Sequence, residues 1–262
     1  DYGVYDVQMT VPSGWKGGAT GVELDVSDNP GGTSTHHYRQ ADVHDFAWTT
    51  SPDYLEARRR FEFPGLKPVE MRLLYQPEHE EQVDRHFRAA EAALRYYGTW
   101  YGPYPYGHVT LIDPAYKSGA SGMEYPTLFT CGTRYWNPEG GGSPEGVTVH
   151  EAGHQFWYGI VGNNEFEDAW IDEGLNTFSE ERAQEIEYGN NAYVERFFQR
   201  FLPVMAPGIR TPRIVTSGMD RYRAAARREV EATPTYRYHP ATHSSITYSK
   251  TALWLLTLEN EL

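Results

Sequence analysis

Val147-Thr148-Val149-His150-Glu151-Ala152-Gly153-His154-Gln155-Phe156-Trp157 is the stretch on which the reading of this chain turns. It follows Ser143-Pro144, which reads as a helix start with Ser143 as cap and Pro144 just inside. On an α-helix, residues four apart stand within about 40° of one another around the axis. His150 and His154 therefore share a face and can converge on one metal ion. Glu151 lies beside the first of them, placed to take a proton from an attacking water without being a ligand. Catalytic zinc takes a third protein ligand and keeps one position open. Glu173, in Trp170-Ile171-Asp172-Glu173-Gly174, is the expected carboxylate. The intervening residues 155–172 give room for the first helix to end at Gly159 to Gly162 and for a turn through Asn163-Asn164. A second helix then begins near Asp168, with Glu173 in its early turns, facing back.

In a shuffled chain of this composition the His-Glu-x-x-His pattern would occur roughly 0.03 times, and a carboxylate at one fixed distance lowers that about tenfold. The bland alternative is a helix with two solvated histidines. Val149, Phe156 and Trp157 argue against it, because they mark the helix as buried. Buried imidazoles beside carboxylates need a shared partner, and a metal is the natural one.

Outward from this stretch the text has two characters. Towards the N-terminus, Tyr5 to Tyr75 reads as several short strands separated by turns. Val7, Met9 and Val11 alternate up to Pro12-Ser13-Gly14. Val22, Leu24 and Val26 alternate up to Asp28-Asn29-Pro30-Gly31-Gly32. Val43, Phe46 and Trp48, then Arg60 to Phe63, then Val69 to Tyr75, read as further strands. From Pro77 to Tyr101 the apolar positions Val83, Phe87, Ala90, Leu94 and Tyr97 step by three and four, a helix stopped by Gly102-Pro103. Short strands follow at His108 to Ile112 and Leu128 to Cys131. Helical text then dominates, at Val147 to Ile160, Ala169 to Tyr188, Ala192 to Met205 and Ser249 to Leu262. Arg210 to His243, rich in Pro, Tyr and Arg, takes no assignment. The fold class expected is α+β.

Composition narrows the function. The chain has 262 residues, 39% hydrophobic and 15% aromatic, enough for a large core. With 23 Lys and Arg against 36 Asp and Glu, the net charge of −13 argues against nucleic acid or an anionic membrane surface as partner. No apolar run approaches the eighteen or so residues of a transmembrane helix. The single cysteine, Cys131, excludes an internal disulfide and a cysteine-based metal cluster, and leaves the compartment open. The opening Asp1-Tyr2-Gly3-Val4-Tyr5 has neither an initiator Met nor a leader, so a piece of a longer chain is expected.

His150-Glu151-x-x-His154, eighteen residues, then Glu173, resembles the signature of the gluzincins, the zinc aminopeptidase family of aminopeptidase N and leukotriene hydrolase. Two further segments match in the same order. Ser121-Gly122-Met123-Glu124-Tyr125-Pro126 is similar to the family's Gly-x-Met-Glu-Asn motif, with Ser121 and Tyr125 as departures. Tyr248-Ser249-Lys250-Thr251-Ala252 is similar to its Tyr-x-Lys-Gly segment, with Thr251 in place of the glycine. The opening strands resemble the end of the family's saddle-shaped N-terminal β-domain. The resemblance implies that residues 1–66 are the C-terminal part of that β-domain. It makes 67–262 a thermolysin-like catalytic domain, a mixed sheet plus a helical half, truncated at its C-terminus. It also implies one zinc ion held by His150, His154 and Glu173, Glu151 as base, and Tyr248 as donor to the oxyanion. Glu124 would anchor the substrate's free α-amine, with Met123 and Gly122 beside it. The partners implied are a peptide with a free N-terminus and further domains of the same full-length protein.

Each assignment has a rival. Glu124 can be a sheet-edge carboxylate in a turn, and Met123 simple packing. Tyr236 and Tyr238 compete with Tyr248. Glu180, seven residues after Glu173, shares its helix face and can support the ligands or be solvated. The remaining eight histidines read as mostly single and surface-like, with His36-His37 and His239 with His243 as candidates for adventitious metal. The cluster from Arg221 to Arg228 reads as a solvated face or as partners for Glu229 and Glu231. Three functions compete: a zinc aminopeptidase core, a non-catalytic module that keeps the fold, and a thermolysin-like endopeptidase.

Overall fold

The computed structural model describes residues 1–134, 139, 143–189, 193–197, 202–206, 219–228, 230 and 232–262. Three sheets stand in the first half. One is three-stranded, from β1 (Gly3–Pro12), β3 (Val22–Asn29) and β4 (Thr33–Val43) in the order β1-β4-β3, all antiparallel. β2 (Lys16–Ala19) pairs separately with β5 (Trp48–Ser51). The larger sheet has five strands in the order β6-β7-β8-β10-β9: β6 (Leu55–Phe61), β7 (Val69–Tyr75), β8 (His108–Asp113), β9 (Gly122–Met123) and β10 (Leu128–Cys131). β7, β8 and β10 run parallel, and β6 and β9 are antiparallel edges, so the sheet is mixed. Leu55–Phe61 belongs to this sheet, so strand pairing crosses position 66.

The expected helix from Pro77 forms as a 3₁₀ turn, Pro77–Gln82, running into α1 (Val83–Tyr101). It is the crossover between the parallel strands β7 and β8. Phe87, Ala90, Leu94 and Tyr97 face the main core, with Met71, Leu73, Leu111 and Phe129 from the sheet. α2 (Glu145–Gly153) packs on α1 and on β10. Its Val149 and Ala152, and Phe156 just beyond it, enter the same core. After α2 come α3 (Glu165–Ala169), a π-helical turn Trp170–Gly174, and α4 (Leu175–Tyr188). The antiparallel strands β11 (Tyr193–Phe197) and β12 (Leu202–Ala206) follow, then α5 (Met219–Ala225), a second π turn Ser245–Lys250, and α6 (Thr251–Glu261). The class is α+β.

Several expectations need correction. Where a helix is expected at Ala192 to Met205, the described residues form the antiparallel strands β11 and β12, and Ala192 and residues 198–201 lie outside the described residues. Pro203 would have stood inside that helix, at a cost of about 3 kcal/mol. β4, the longest strand, carries little apolar text. It is held instead by cross-strand polar pairs, Thr35 to Thr10 at 2.8 Å and His37 to Asp6 at 2.7 Å. Val22, Leu24 and Val26 on the edge strand β3 are all exposed. Ser143 does not cap α2. Its hydroxyl accepts from Arg134 N–H and donates to the Gly132 carbonyl. α2 stops at Gly153 rather than near Ile160, because Gln155 turns back to the sheet. There its Oε1 accepts from Thr127 N–H at 2.7 Å and its Nε2 donates to the Tyr125 carbonyl at 3.0 Å. Two histidines taken as surface-like, His79 and His86, are fully buried. His36 and His37 point to opposite faces of β4, each on its own carboxylate, and so do not chelate one ion together. Residues 207–218, Glu229 and Glu231 lie outside the described residues. Among those that are described, no helix is long and apolar enough to cross a membrane.

Candidate metal centre

The polar atoms of the centre come from two helical segments. α2 presents His150 and, as the residue that ends it, His154. The π turn Trp170–Gly174 presents Glu173. A π turn inserts one residue into the helical spacing, and here it rotates Glu173 towards α2. His150 Nε2 lies 3.1 Å from His154 Nε2 and 3.2 Å from Glu173 Oε2, and His154 Nε2 lies 3.1 Å from the same oxygen. Tetrahedral zinc with bonds of about 2.0–2.1 Å sets ligand atoms about 3.3 Å apart, so the triangle fits that ion closely.

The other ring nitrogens settle which atoms point inward. His150 Nδ1 donates to Glu180 Oε2 at 2.9 Å. His154 Nδ1 donates to Asp172 Oδ1 at 2.6 Å, with the Trp157 carbonyl at 2.9 Å. With both Nδ1 atoms engaged as donors, the two Nε2 lone pairs and a carboxylate oxygen face one another. Three acceptors converging in a buried site call for a cation. With no ion between them, burial is outweighed by the bonds to Glu173 and Glu180, which carry His150 up to about 10, so that a proton on Nε2 takes the place a cation would hold. Burial alone would raise Glu173, but the two imidazoles hold it well below the usual carboxylate range.

Glu151 is almost fully buried, and burial pushes it up to about 8. Among the described residues its Oε2 has no hydrogen-bond partner. A Cβ on Gly122 would stand 2.2 Å from Glu151 Oε1, so a larger residue where the edge strand β9 passes would displace this carboxylate. Met123 is exposed beside it. An oxygen of Glu124 lies within 4.8 Å of ligand atoms of His154, Asp172 and Glu173, and burial raises Glu124 above its ordinary value. Tyr248, from the second π turn, donates its hydroxyl to Glu173 Oε1, and its ring stacks on His150 with centroids 6.0 Å apart. Burial and the adjacent Glu173 push this hydroxyl far above its ordinary value, so it stays protonated. Gly174 makes the approach possible, because a Cβ there would stand 2.4 Å from Thr251 Cβ.

His150, His154, Glu173, Glu151, Glu124, Gly122, Met123 and Tyr248 are thus brought to one region, and Glu180 joins them on the outer nitrogen of His150. Of the rival tyrosines, Tyr238 packs with Ala225 and Ile246, and Tyr236 is exposed. Sequence reasoning missed Asp172 and Glu165. The signal for Asp172 was its place one residue before Glu173. Glu165, at the start of α3, is pushed up to about 7 by burial and then by Asp172 and Glu124. Nothing in its local sequence marks it.

No family model matches the chain. The fold is similar to that of the M1 zinc metallopeptidase from Deinococcus radiodurans, with a TM-score of 0.68 and 19% identity, over 100% of this chain and 53% of the other. A mutant of that enzyme gives a TM-score of 0.68 and 18% identity, over 100% and 54%. A mutant bound to the substrate Tyr-Ser-Ala gives 0.66 and 20%, over 100% and 53%. The chain therefore spans about half the length of these structures, and at this identity the likeness is one of fold.

Proposed function

We propose that the chain is the core of a zinc metallopeptidase that removes N-terminal residues from peptides. The observation that carries this reading is the convergence of His150 Nε2, His154 Nε2 and Glu173 Oε2 at 3.1–3.2 Å with their outer atoms tied to carboxylates or, for Glu173, to Tyr248. In the proposal these three hold the ion. Zinc supplies a Lewis acid that polarises the scissile carbonyl and lowers the pKa of water to about 7. Glu151 takes the proton of the attacking water and passes it to the leaving amine. The Tyr248 hydroxyl turns from Glu173 to donate to the developing oxyanion. Glu124 holds the ammonium of the first residue, which makes the first peptide bond the scissile one, and Gly122 and Met123 border that position. The solved relative bound to Tyr-Ser-Ala supports a peptide as the partner class. The proposal assigns the stretch ahead of Leu55 to the end of a β-domain and the five-stranded sheet with the helices to the catalytic unit.

The test is zinc content together with hydrolysis of a peptide carrying a free or an acetylated N-terminus. One zinc per chain, with turnover that acetylation abolishes, is expected. Equal cleavage of the acetylated peptide would make the chain an endopeptidase. Bound zinc without hydrolysis would make it a non-catalytic module.

A further inference from the structure

The last turn of α2 is fixed by a side chain outside the ligand set. Asn176, in the first turn of α4, is fully buried. Its Nδ2 donates to the main-chain oxygen of His150 at 2.8 Å, and its Oδ1 accepts from the Tyr97 hydroxyl of α1 at 3.1 Å. The His150 oxygen already accepts the His154 N–H at 3.1 Å, so the Asn176 bond is an addition to the helix and not a substitute for one of its own. Opposite Asn176 stands Gly153. A Cβ there would lie 2.1 Å from Asn176 Oδ1 and 2.6 Å from both Cε2 and the hydroxyl of Tyr97. No side chain fits, and the neighbours cannot yield, because both are packed in the core. The glycine between Glu151 and His154 is therefore the counterpart of Asn176. It lets the amide reach the helix that carries both imidazoles.

We infer that Asn176 is a positioning residue for the metal triangle, setting the separation between α2 and the turn that bears Glu173. The inference rests on the proposed metal site. Asn176 follows Glu173 by three residues, so one turn of backbone links the clamp to the third ligand. A slide of α2 against α4 changes the distance from Glu173 Oε2 to both Nε2 atoms at once, and metal bonds tolerate only about 0.2 Å. The Asn176 amide, braced by Tyr97 on its far side, opposes that slide with a buried hydrogen bond whose loss would leave polar groups unpaired.

Four proteins test this: the wild type, Asn176→Ala, Gly153→Ala, and Leu111→Ala as a control. Zinc affinity is read by competition with a chelator at a temperature where circular dichroism reports each as folded. The absorption spectrum of the cobalt-substituted forms reports ligand geometry. Asn176→Ala is expected to weaken zinc binding about 10- to 100-fold, the range for residues that orient ligands, and to change the cobalt spectrum. Leu111→Ala, a core truncation in the five-stranded sheet, should lower stability and leave that spectrum as in the wild type. Gly153→Ala should bind zinc worst. Zinc affinity of Asn176→Ala within twofold of wild type, or a cobalt spectrum that Asn176→Ala leaves unchanged, overturns the inference while the metal site stands. A wild type that takes up no zinc overturns the metal site and this inference with it.

Discussion

Two clusters of the same residue types, one partly and one fully buried, lie on opposite sides of α2, and they are built to opposite ends. In the candidate metal centre, His150 and His154 point their Nδ1 atoms outward to Glu180 and Asp172 and turn their Nε2 atoms towards Glu173. In the second cluster, His79 Nδ1 and His86 Nε2 both meet one oxygen of Asp113, at 3.0 and 3.1 Å. Thr133 adds its hydroxyl to that oxygen at 2.6 Å and its N–H to the other at 2.9 Å, while His86 Nδ1 reaches Thr148 of α2 at 2.9 Å. Here donors surround an acceptor and the charge is balanced inside the fold. In the candidate metal centre two imidazole nitrogens and a carboxylate oxygen face one another, and a cation or a proton is needed between them. Residue type and burial do not separate a ligand set from a structural ion pair. The direction in which the second ring nitrogen points does.

The largest expected effect tests the open cluster. Glu151→Gln should lower kcat about 10²- to 10⁴-fold and keep zinc, since Glu151 is not a corner of the triangle. Unchanged turnover would remove it from the role of base. Next comes the closed cluster. Asp113→Asn strands buried imidazoles and should cost about 3–5 kcal/mol of stability in urea unfolding, with zinc affinity of the folded protein unchanged. A variant that folded normally but lost zinc would break the comparison, because it would make His86 and Thr148 part of the metal site's support. Smaller again, Glu180→Gln should weaken zinc binding about 10- to 100-fold. Chelator competition at constant stability reads that loss, and an unaltered affinity would leave Glu180 a bystander on the ring it touches.

What could be read from the sequence follows the same division. Spacing along one helix is a local property, so His150, Glu151 and His154 were legible, as were Val69–Tyr75 and Leu128–Cys131, whose apolar runs carry their own boundaries. Glu173 was legible because one connecting loop links it to α2. The closed cluster was not. His79 and His86 stand seven apart on a surface-looking acidic stretch, and only the return of β8 brings Asp113 beneath them. β4 was missed for a related reason. Its polar side chains are satisfied across strands, and that satisfaction has no periodic trace in one strand's text. Asn176 is legible only with Gly153 in view, since neither residue signals anything without the contact between them.

The smallest effect is the one that reads the charge of the closed cluster directly. Burial alone would raise Asp113, but its bonds to His79, His86 and Thr133 outweigh that and hold it at about 2. Burial alone would lower His79, but Asp113 outweighs that and raises it. A carboxyl held low contributes stability that is present above its unfolded value of about 3.9 and is lost as pH falls through its folded value. A histidine held high contributes stability that is present below about 6.5 and is lost as pH rises through its folded value. Both contributions are therefore complete only between about pH 4 and 6.5. The stability difference between wild type and Asp113→Asn, measured by urea unfolding across pH at saturating zinc, should be widest in that window. It should narrow towards pH 2, where Asp113 takes a proton and resembles the amide, and again in alkali, where His79 loses its charge. A difference that stays level across the whole range would mean that the pair is neutral in the fold, and that the two clusters differ in shape but not in charge.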